Sequence, residues 1–357
     1  MAEIKKVNNE RFLNALRCRP TDRTPVWMMR QAGRYLPEYR QIRQQARDFI
    51  HFCQTPSWAA EATLQPLRRY KLDAAIIFSD ILVLPYAMGA DLAFIKDEGP
   101  VFAEPIFEQA QVDKLRHIDP TRDLDYVLEA INRTLTGIDG SVPLIGFCGS
   151  PFTVASYLVE GRGSKQFTQI KRLAYAAPQV LHALLDKLTQ ASIAYLKAQI
   201  HAGVQAVMIF DTWGAISSQA FYRQFSWAYL KAIVDELKSD PLCQATPVIA
   251  FTKGAGLWLP LQADLGADAL GVDWTVDLHQ ARLQVGSHIA LQGNLDPAVL
   301  YGTPAQIESA VSAVLAEYGH GNGHVFNLGH GILPDIDPAK VQIMIDAVHR
   351  LSPAYHA

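Results

Sequence analysis

The heptapeptide Ala74-Ala75-Ile76-Ile77-Phe78-Ser79-Asp80 decides how the rest of the chain is read. Five consecutive apolar residues stop abruptly at a serine and a carboxylate. A strand with one wet face alternates polar and apolar side chains, whereas an unbroken apolar run belongs to a strand covered on both faces. The residues before it, 57–70, carry helical periodicity, and Thr55-Pro56-Ser57 supplies a start signal. A helix leading into a doubly buried strand is the repeating unit of a parallel α/β sheet.

The unit recurs outward from there. Apolar runs at 26–29, 74–78, 144–148, 206–210, 248–251, 269–272, 289–292 and 325–328 alternate with helical stretches, among them 39–52, 57–70, 123–135, 178–203, 218–239, 303–318 and 338–351. Eight such units in 357 residues match a closed α/β (β/α)8 TIM barrel better than an open doubly wound sheet, which is the runner-up. The expected organisation is one domain over 1–357, with a helical extension at 1–24 and a hairpin-like insertion around 81–106, where Gly and Pro are dense.

Half the residues are apolar (49%) and 19% are charged, so a large core can form. A net charge of −3 argues against a general nucleic-acid or polybasic membrane binder. The first residues hold no apolar segment of a signal peptide. The most apolar window, 142–159, is broken by Pro143, Gly146, Gly149, Ser150 and Pro151, so no membrane span is expected. Cys18, Cys53, Cys148 and Cys243 are scattered, without a Cys-x-x-Cys pair. A soluble cytoplasmic protein is the simplest expectation.

Against this mild acidity, Arg30, Arg34, Arg40, Arg43 and Arg47 follow the first apolar run with only Glu38 and Asp48 nearby. The guanidinium fork suits carboxylates and phosphates, which points to a pocket for a polyanionic small molecule. Arg40, Arg43 and Arg47, at i, i+3 and i+7, read equally well as a basic helix face. Arg30 and Arg34, directly after the strand and beside Gly33, read as functional.

In a barrel of this kind the active site lies at the C-terminal strand ends. Topology alone therefore selects Arg30, Arg34, Asp80, residues 149–153, Asp211, Thr212, Lys253, Asp273, Asn294, Asp296 and His330. The set has no adjacent carboxylate pair and no nucleophile elbow. Asp80 is expected low in the mouth, where a carboxylate needs donors; a neighbouring arginine or ligand N–H groups would both serve. Gly319-x-Gly321-x-Gly323 precedes a strand and fails as a dinucleotide fingerprint. His320, His324 and His330 lack partners at ligand spacing, so no metal site is expected. His330 alone, at a strand terminus, is a functional candidate.

Two long stretches then carry a resemblance. Residues 30–40, Arg-Gln-Ala-Gly-Arg-Tyr-Leu-Pro-Glu-Tyr-Arg, and residues 146–161, Gly-Phe-Cys-Gly-Ser-Pro-Phe-Thr-Val-Ala-Ser-Tyr-Leu-Val-Glu-Gly, resemble the two signatures of the uroporphyrinogen decarboxylase family. Phe78-Ser79-Asp80-Ile81-Leu82, Gly293-Asn294-Leu295-Asp296-Pro297 and Asn327-Leu328-Gly329-His330-Gly331 resemble it in order and spacing, over essentially the whole chain. The resemblance implies a cofactor-free, metal-free haem-pathway enzyme. It would remove carbon dioxide from the four acetates of uroporphyrinogen III to give coproporphyrinogen III, and would be a cytoplasmic homodimer. It implies that Asp80 accepts the pyrrole N–H groups, that Arg30 and Arg34 face substrate carboxylates, and that Phe147, Tyr157, Thr212 and His330 line the cleft. It places Asp80, Arg30 and Tyr157 in the chemistry, with Arg30 a candidate proton donor. Thr212 stands where some members carry Ser. Two alternatives are a corrinoid-linked methyltransferase of the same superfamily, whose thiolate ligands are missing here, and a non-catalytic tetrapyrrole carrier.

Overall fold

The computed structural model describes residues 7–95 and 99–356. The reading of the N-terminus at residues 1–6 and the tip of the insertion at 96–98 lie outside the described residues. Seven strands form one wholly parallel sheet: β1 (Ala75–Ile76), β4 (Leu144–Gly149), β5 (Ala206–Asp211), β6 (Val248–Thr252), β7 (Ala269–Gly271), β8 (Ala290–Leu295) and β9 (His324–Leu328). Their spatial order is their chain order, so each crossover steps one place along a curling sheet. β2 (Leu92–Ile95) and β3 (Gly99–Phe102) form a separate antiparallel pair.

The run at 26–29 is not a regular strand. Val26 makes one isolated parallel bridge to Phe326, with Phe326 N–H donating to Pro25 O (2.9 Å) and Trp27 N–H to Phe326 O (3.3 Å). On its other side Asp73 N–H donates to Val26 O (2.9 Å). The ladder goes no further because side chains take the next donors: Asp73 Oδ2 accepts Val26 N–H and Asn327 Oδ1 accepts Met29 N–H. Inside the curl, the Trp27 indole donates to Gln292 of β8 (2.9 Å), whose amide reaches Met208 of β5; all three are fully buried.

The long helices pack outside the sheet. Pro56–Arg69, Asp125–Ile138, Pro178–His201, Ala228–Ser239, Pro304–Tyr318 and Pro338–Leu351 fall close to their sequence expectations. Three differences are instructive. The stretch at 39–52 is two helices, Pro37–Arg43 and Phe49–Cys53, because Asp48 accepts His51 N–H and starts the second afresh. Helix Pro151–Glu160, directly after β4, lacks a strong apolar periodicity because nearly every side chain on it is buried. Among the described residues of the extension, only Arg11–Leu16 is helical. No helix among the described residues is long and apolar enough to cross a membrane.

Candidate active site

The strand ends carry the candidate residues, and each is aimed by local bonding. β1 stops early because Phe78 N–H donates to Thr63 Oγ1 of the preceding helix (2.9 Å), which turns the chain away from the ladder. Asp80 follows on that turn. Its Oδ1 accepts Leu82 N–H (2.8 Å), and no other hydrogen bond or ion pair of its side chain occurs among the described residues. It is recessed and only partly exposed. Burial pushes its carboxyl above the ordinary aspartate range, with the Leu82 amide and the nearby Arg30 guanidinium pulling the other way. Of the two partners open to Asp80 from sequence, the arginine does not form an ion pair with it, although its charge is felt.

Arg30 sits in the left-handed region (φ 60°), unusual for a residue with a side chain. The surroundings over-determine it: Gln31 N–H donates to Met28 O (3.0 Å), Ile332 N–H to Met29 O (3.1 Å), and Met29 N–H is held by Asn327. The Met29–Ile332 bond lays the loop after β9 against this turn. The glycines flanking His330 then make the contact possible. A Cβ at Gly331 would strike Arg30 Cγ and Nε at 2.8 Å, and one at Gly329 would strike Trp274 N at 2.7 Å. His330 is thereby fixed beside Arg30. Burial, then the charges of Arg30 and Lys253, lower its pKa to about 4, so the ring is neutral at pH 7.

The arginine segment divides. Arg30 and Arg34 are exposed and have no side-chain hydrogen bond or ion pair among the described residues. Arg40 donates to the carbonyls of Arg34 (2.7 Å) and Tyr35 (3.4 Å), Arg43 donates to Ala46 O and lies over the Phe49 and Phe52 rings, and Arg47 pairs with Asp48. The last three are occupied in holding this stretch together.

Tyr157 lies on helix Pro151–Glu160, whose N-cap Ser150 accepts Thr153 N–H. Burial raises its pKa, and the charge of Asp80 adds to the rise. The Trp213 indole lies near its hydroxyl, although the two do not meet in hydrogen-bond geometry. Beneath them a chain of rings crosses four strand ends: Phe147 to Phe210 (5.6 Å), Phe210 to Phe251 (6.3 Å), Phe251 to His330 (6.0 Å). Phe210 and Phe251 complete this floor and were not singled out in the sequence, where they look like any strand residue. Thr212, just past β5, is half-buried and has no side-chain hydrogen bond among the described residues.

Other strand-end residues are structural. Asp273 accepts Gly254 N–H (2.5 Å) and both donors of Thr275, and Asn294 donates to the carbonyls of Asp273 and Val276. Asp211 is fully buried among hydroxyls. A concavity of about 540 Å³ at the opposite end of the strands, lined by Asn8, Asn9, Arg11 and Asp22, holds the Arg11–Asp22 ion pair. No group of three or more His, Cys, Asp or Glu side chains able to hold a metal occurs among the described residues.

Fold and site together define a strand-end cluster on a parallel α/β scaffold: an aromatic floor, a carboxylate with one oxygen open, and guanidinium groups without a partner among the described residues. A family model described as uroporphyrinogen decarboxylase (URO-D) matches residues 7–351. Relatives with that same name are 56% identical in Nitrosococcus oceani, over 100% of this chain and 99% of theirs, and 55% identical in Escherichia coli O1:K1 / APEC, over 100% of both. A solved methyltransferase from Methanosarcina mazei superposes with a TM-score of 0.79 at 22% identity, over 97% of this chain and 99% of that one, a likeness of fold alone. The chain belongs to the uroporphyrinogen decarboxylase family.

Proposed function

We propose that this cleft binds uroporphyrinogen III and removes carbon dioxide from its four acetates to give coproporphyrinogen III. The observation that carries the reading is Asp80: a recessed carboxylate with one oxygen open, in a site whose Arg30 and Arg34 have no counterion among the described residues. The substrate supplies what each lacks, pyrrole N–H donors for the one and carboxylates for the others.

The chemistry follows from charge. Protonating a pyrrole α-carbon places positive charge on the ring nitrogen. The electrons of the breaking C–CO2 bond flow into that ring, the exocyclic methylene takes a proton to become methyl, and the ring proton leaves. Asp80, aimed at the N–H, stabilises the cation in a water-poor recess. Arg30 and Arg34 hold carboxylates, with Arg30 placed to take part in proton delivery. Tyr157, Thr212 and neutral His330 offer polar contacts along the wall, and Phe147 offers an apolar face to the macrocycle. No metal or organic cofactor enters these steps.

The same proposal includes a single (β/α)8 domain over 1–357, with residues 25–27 as the eighth stave between β9 and β1; the bonds from Phe326 and Asp73 to this segment support it. It also includes a cytoplasmic homodimer, which sedimentation of the purified chain tests. Anaerobic incubation with uroporphyrinogen, following the carboxyl number of the product, tests the activity. Conversion to the tetracarboxylate is expected; tight binding without carbon dioxide release would make the chain a tetrapyrrole carrier instead.

A further inference from the structure

A third cation stands at the mouth, remote from the arginine turn in sequence but acting, like Arg30, on His330. Lys253 follows β6 immediately and is half-buried. Its Nζ lies 6.0 Å from the centroid of the Trp213 ring and 5.7 Å from that of Trp274. Among the described residues it has no carboxylate and no hydrogen-bond acceptor. Its backbone is fixed, since Lys253 N–H donates to Asp211 O (3.3 Å). Both rings are fixed as well. Trp213 packs on Phe167 (4.7 Å) and its backbone N–H donates to Thr153 Oγ1, while Trp274 is seated against Gly329. Two aromatic walls hold the alkyl stem and strip water from the ammonium without neutralising it. Trp274 is 40% exposed, so a large apolar surface is left open at the same spot.

Such a lysine has no structural work to do that an apolar residue would not do better: it shares His330 with like-charged Arg30 and has no carboxylate within ion-pair distance among the described residues. Its counterion is therefore external. Which carboxylate it takes follows from the reaction. Decarboxylation discharges the reacting carboxylate, so a cation clamped on that group stabilises the ground state and slows the step. A cation in this cleft helps only on a carboxylate that stays, and the propionates stay through all four turns.

We propose that Lys253, held between Trp213 and Trp274, is an anchor for a propionate carboxylate of the macrocycle, setting its rotation while the acetates are presented in turn to Asp80. The proposal rests on the reading of the cleft as the uroporphyrinogen site.

The test compares wild type with Lys253→Met, Lys253→Gln and Lys253→Arg, measuring KM, kcat, and inhibition by coproporphyrinogen, which keeps the propionates and has lost the acetates. For Lys253→Met and Lys253→Gln, KM and the inhibition constant are each expected to rise roughly tenfold to a hundredfold, the ordinary weight of one hydrogen bond to a charged group. The change in kcat is expected to be much smaller, and Lys253→Arg should recover most of the loss. Unchanged KM and product inhibition in an active enzyme would overturn the anchor, as would a loss confined to kcat. If neither neutral variant folds by circular dichroism, the lysine is structural and the proposal also fails. An inactive wild type would instead remove the functional reading itself, a separate and visible outcome.

Discussion

Asp80 and Asp211 each follow an apolar strand run, and burial pushes both carboxyls above the ordinary aspartate range. Their surroundings differ completely. Asp211 Oδ1 accepts from Ser150 Oγ (2.5 Å) and Thr153 Oγ1 (3.1 Å), and its Oδ2 accepts from Ser226 Oγ (2.7 Å) and Thr252 Oγ1 (3.2 Å). Four hydroxyls from three elements and one loop converge on it, with no room left for a ligand. Through Ser150 and Thr153 it fixes the helix that carries Tyr157, and through Thr252 the end of β6. Asp80 has one amide donor and an open oxygen. A strand-end carboxylate is thus a knot or a site according to whether the chain itself satisfies it.

The sharpest way to break this contrast is to remove each carboxylate. Asp211→Ala leaves four buried hydroxyls without their acceptor and should cost about 4 kcal/mol of stability, read from the urea midpoint. A loss under about 1 kcal/mol would mean that the hydroxyls find other partners and that Asp211 is no knot. Asp80→Asn should act on the other axis. Losing a preorganised electrostatic contact costs on the order of 3 kcal/mol at the transition state, about a hundredfold in rate. Stability should hold or rise, because a folded-state pKa above the unfolded one means that the ionised form is disfavoured by folding at neutral pH. Near-normal turnover in Asp80→Asn would end the proposed chemistry.

The arginines repeat the contrast at smaller scale. Arg34→Ala should raise KM about tenfold and leave the melting temperature in place, since the side chain has no hydrogen bond or ion pair among the described residues. Arg40→Ala should leave KM in place and cost roughly 1 kcal/mol of stability through the carbonyls of Arg34 and Tyr35. The reverse pattern would mean that the free guanidinium is the structural one.

Much of this was legible in the sequence because period and topology carry it. Apolar runs marked the strands, and strand-end position put Arg30, Arg34, Asp80 and His330 on one short list. That list could not separate Asp80 from Asp211 or Asp273, because satisfaction depends on Ser150, Thr153, Ser226 and Thr252, spread over about a hundred residues. Nor could it see that 26–29 would end its ladder early, since the donors are taken by Asp73 and Asn327 from distant segments. Trp213 and Trp274 gave no signal either; an aromatic residue one or two places beyond a strand is usually packing. The arginine segment was left with two readings for Arg40, Arg43 and Arg47, and contacts within 34–52 decide for structure.

A last expected effect concerns pH and brings Asp80 and His330 together. His330 has a folded pKa of about 4 against an ordinary 6.5, so between those values the unfolded chain binds a proton that the folded chain refuses. As pH drops from 6.5 towards 4, His330 should contribute a stability loss of about 1–2 kcal/mol once solvent screening at the partly exposed ring is allowed for. His330→Gln should lessen the slope by that share, the remainder staying with groups such as His324 that burial also holds neutral. In the activity profile the same ring is neutral throughout pH 6–8 and should leave kcat/KM without an inflection near 6.5. The acid limb should come from Asp80, which must be ionised to accept the pyrrole N–H. Its raised pKa places that limb above the range of an exposed aspartate. An inflection near 6.5 that disappears in His330→Gln would show an ordinary titrating histidine in open solvent, and the buried wall between Arg30 and Phe251 would then have to be redrawn.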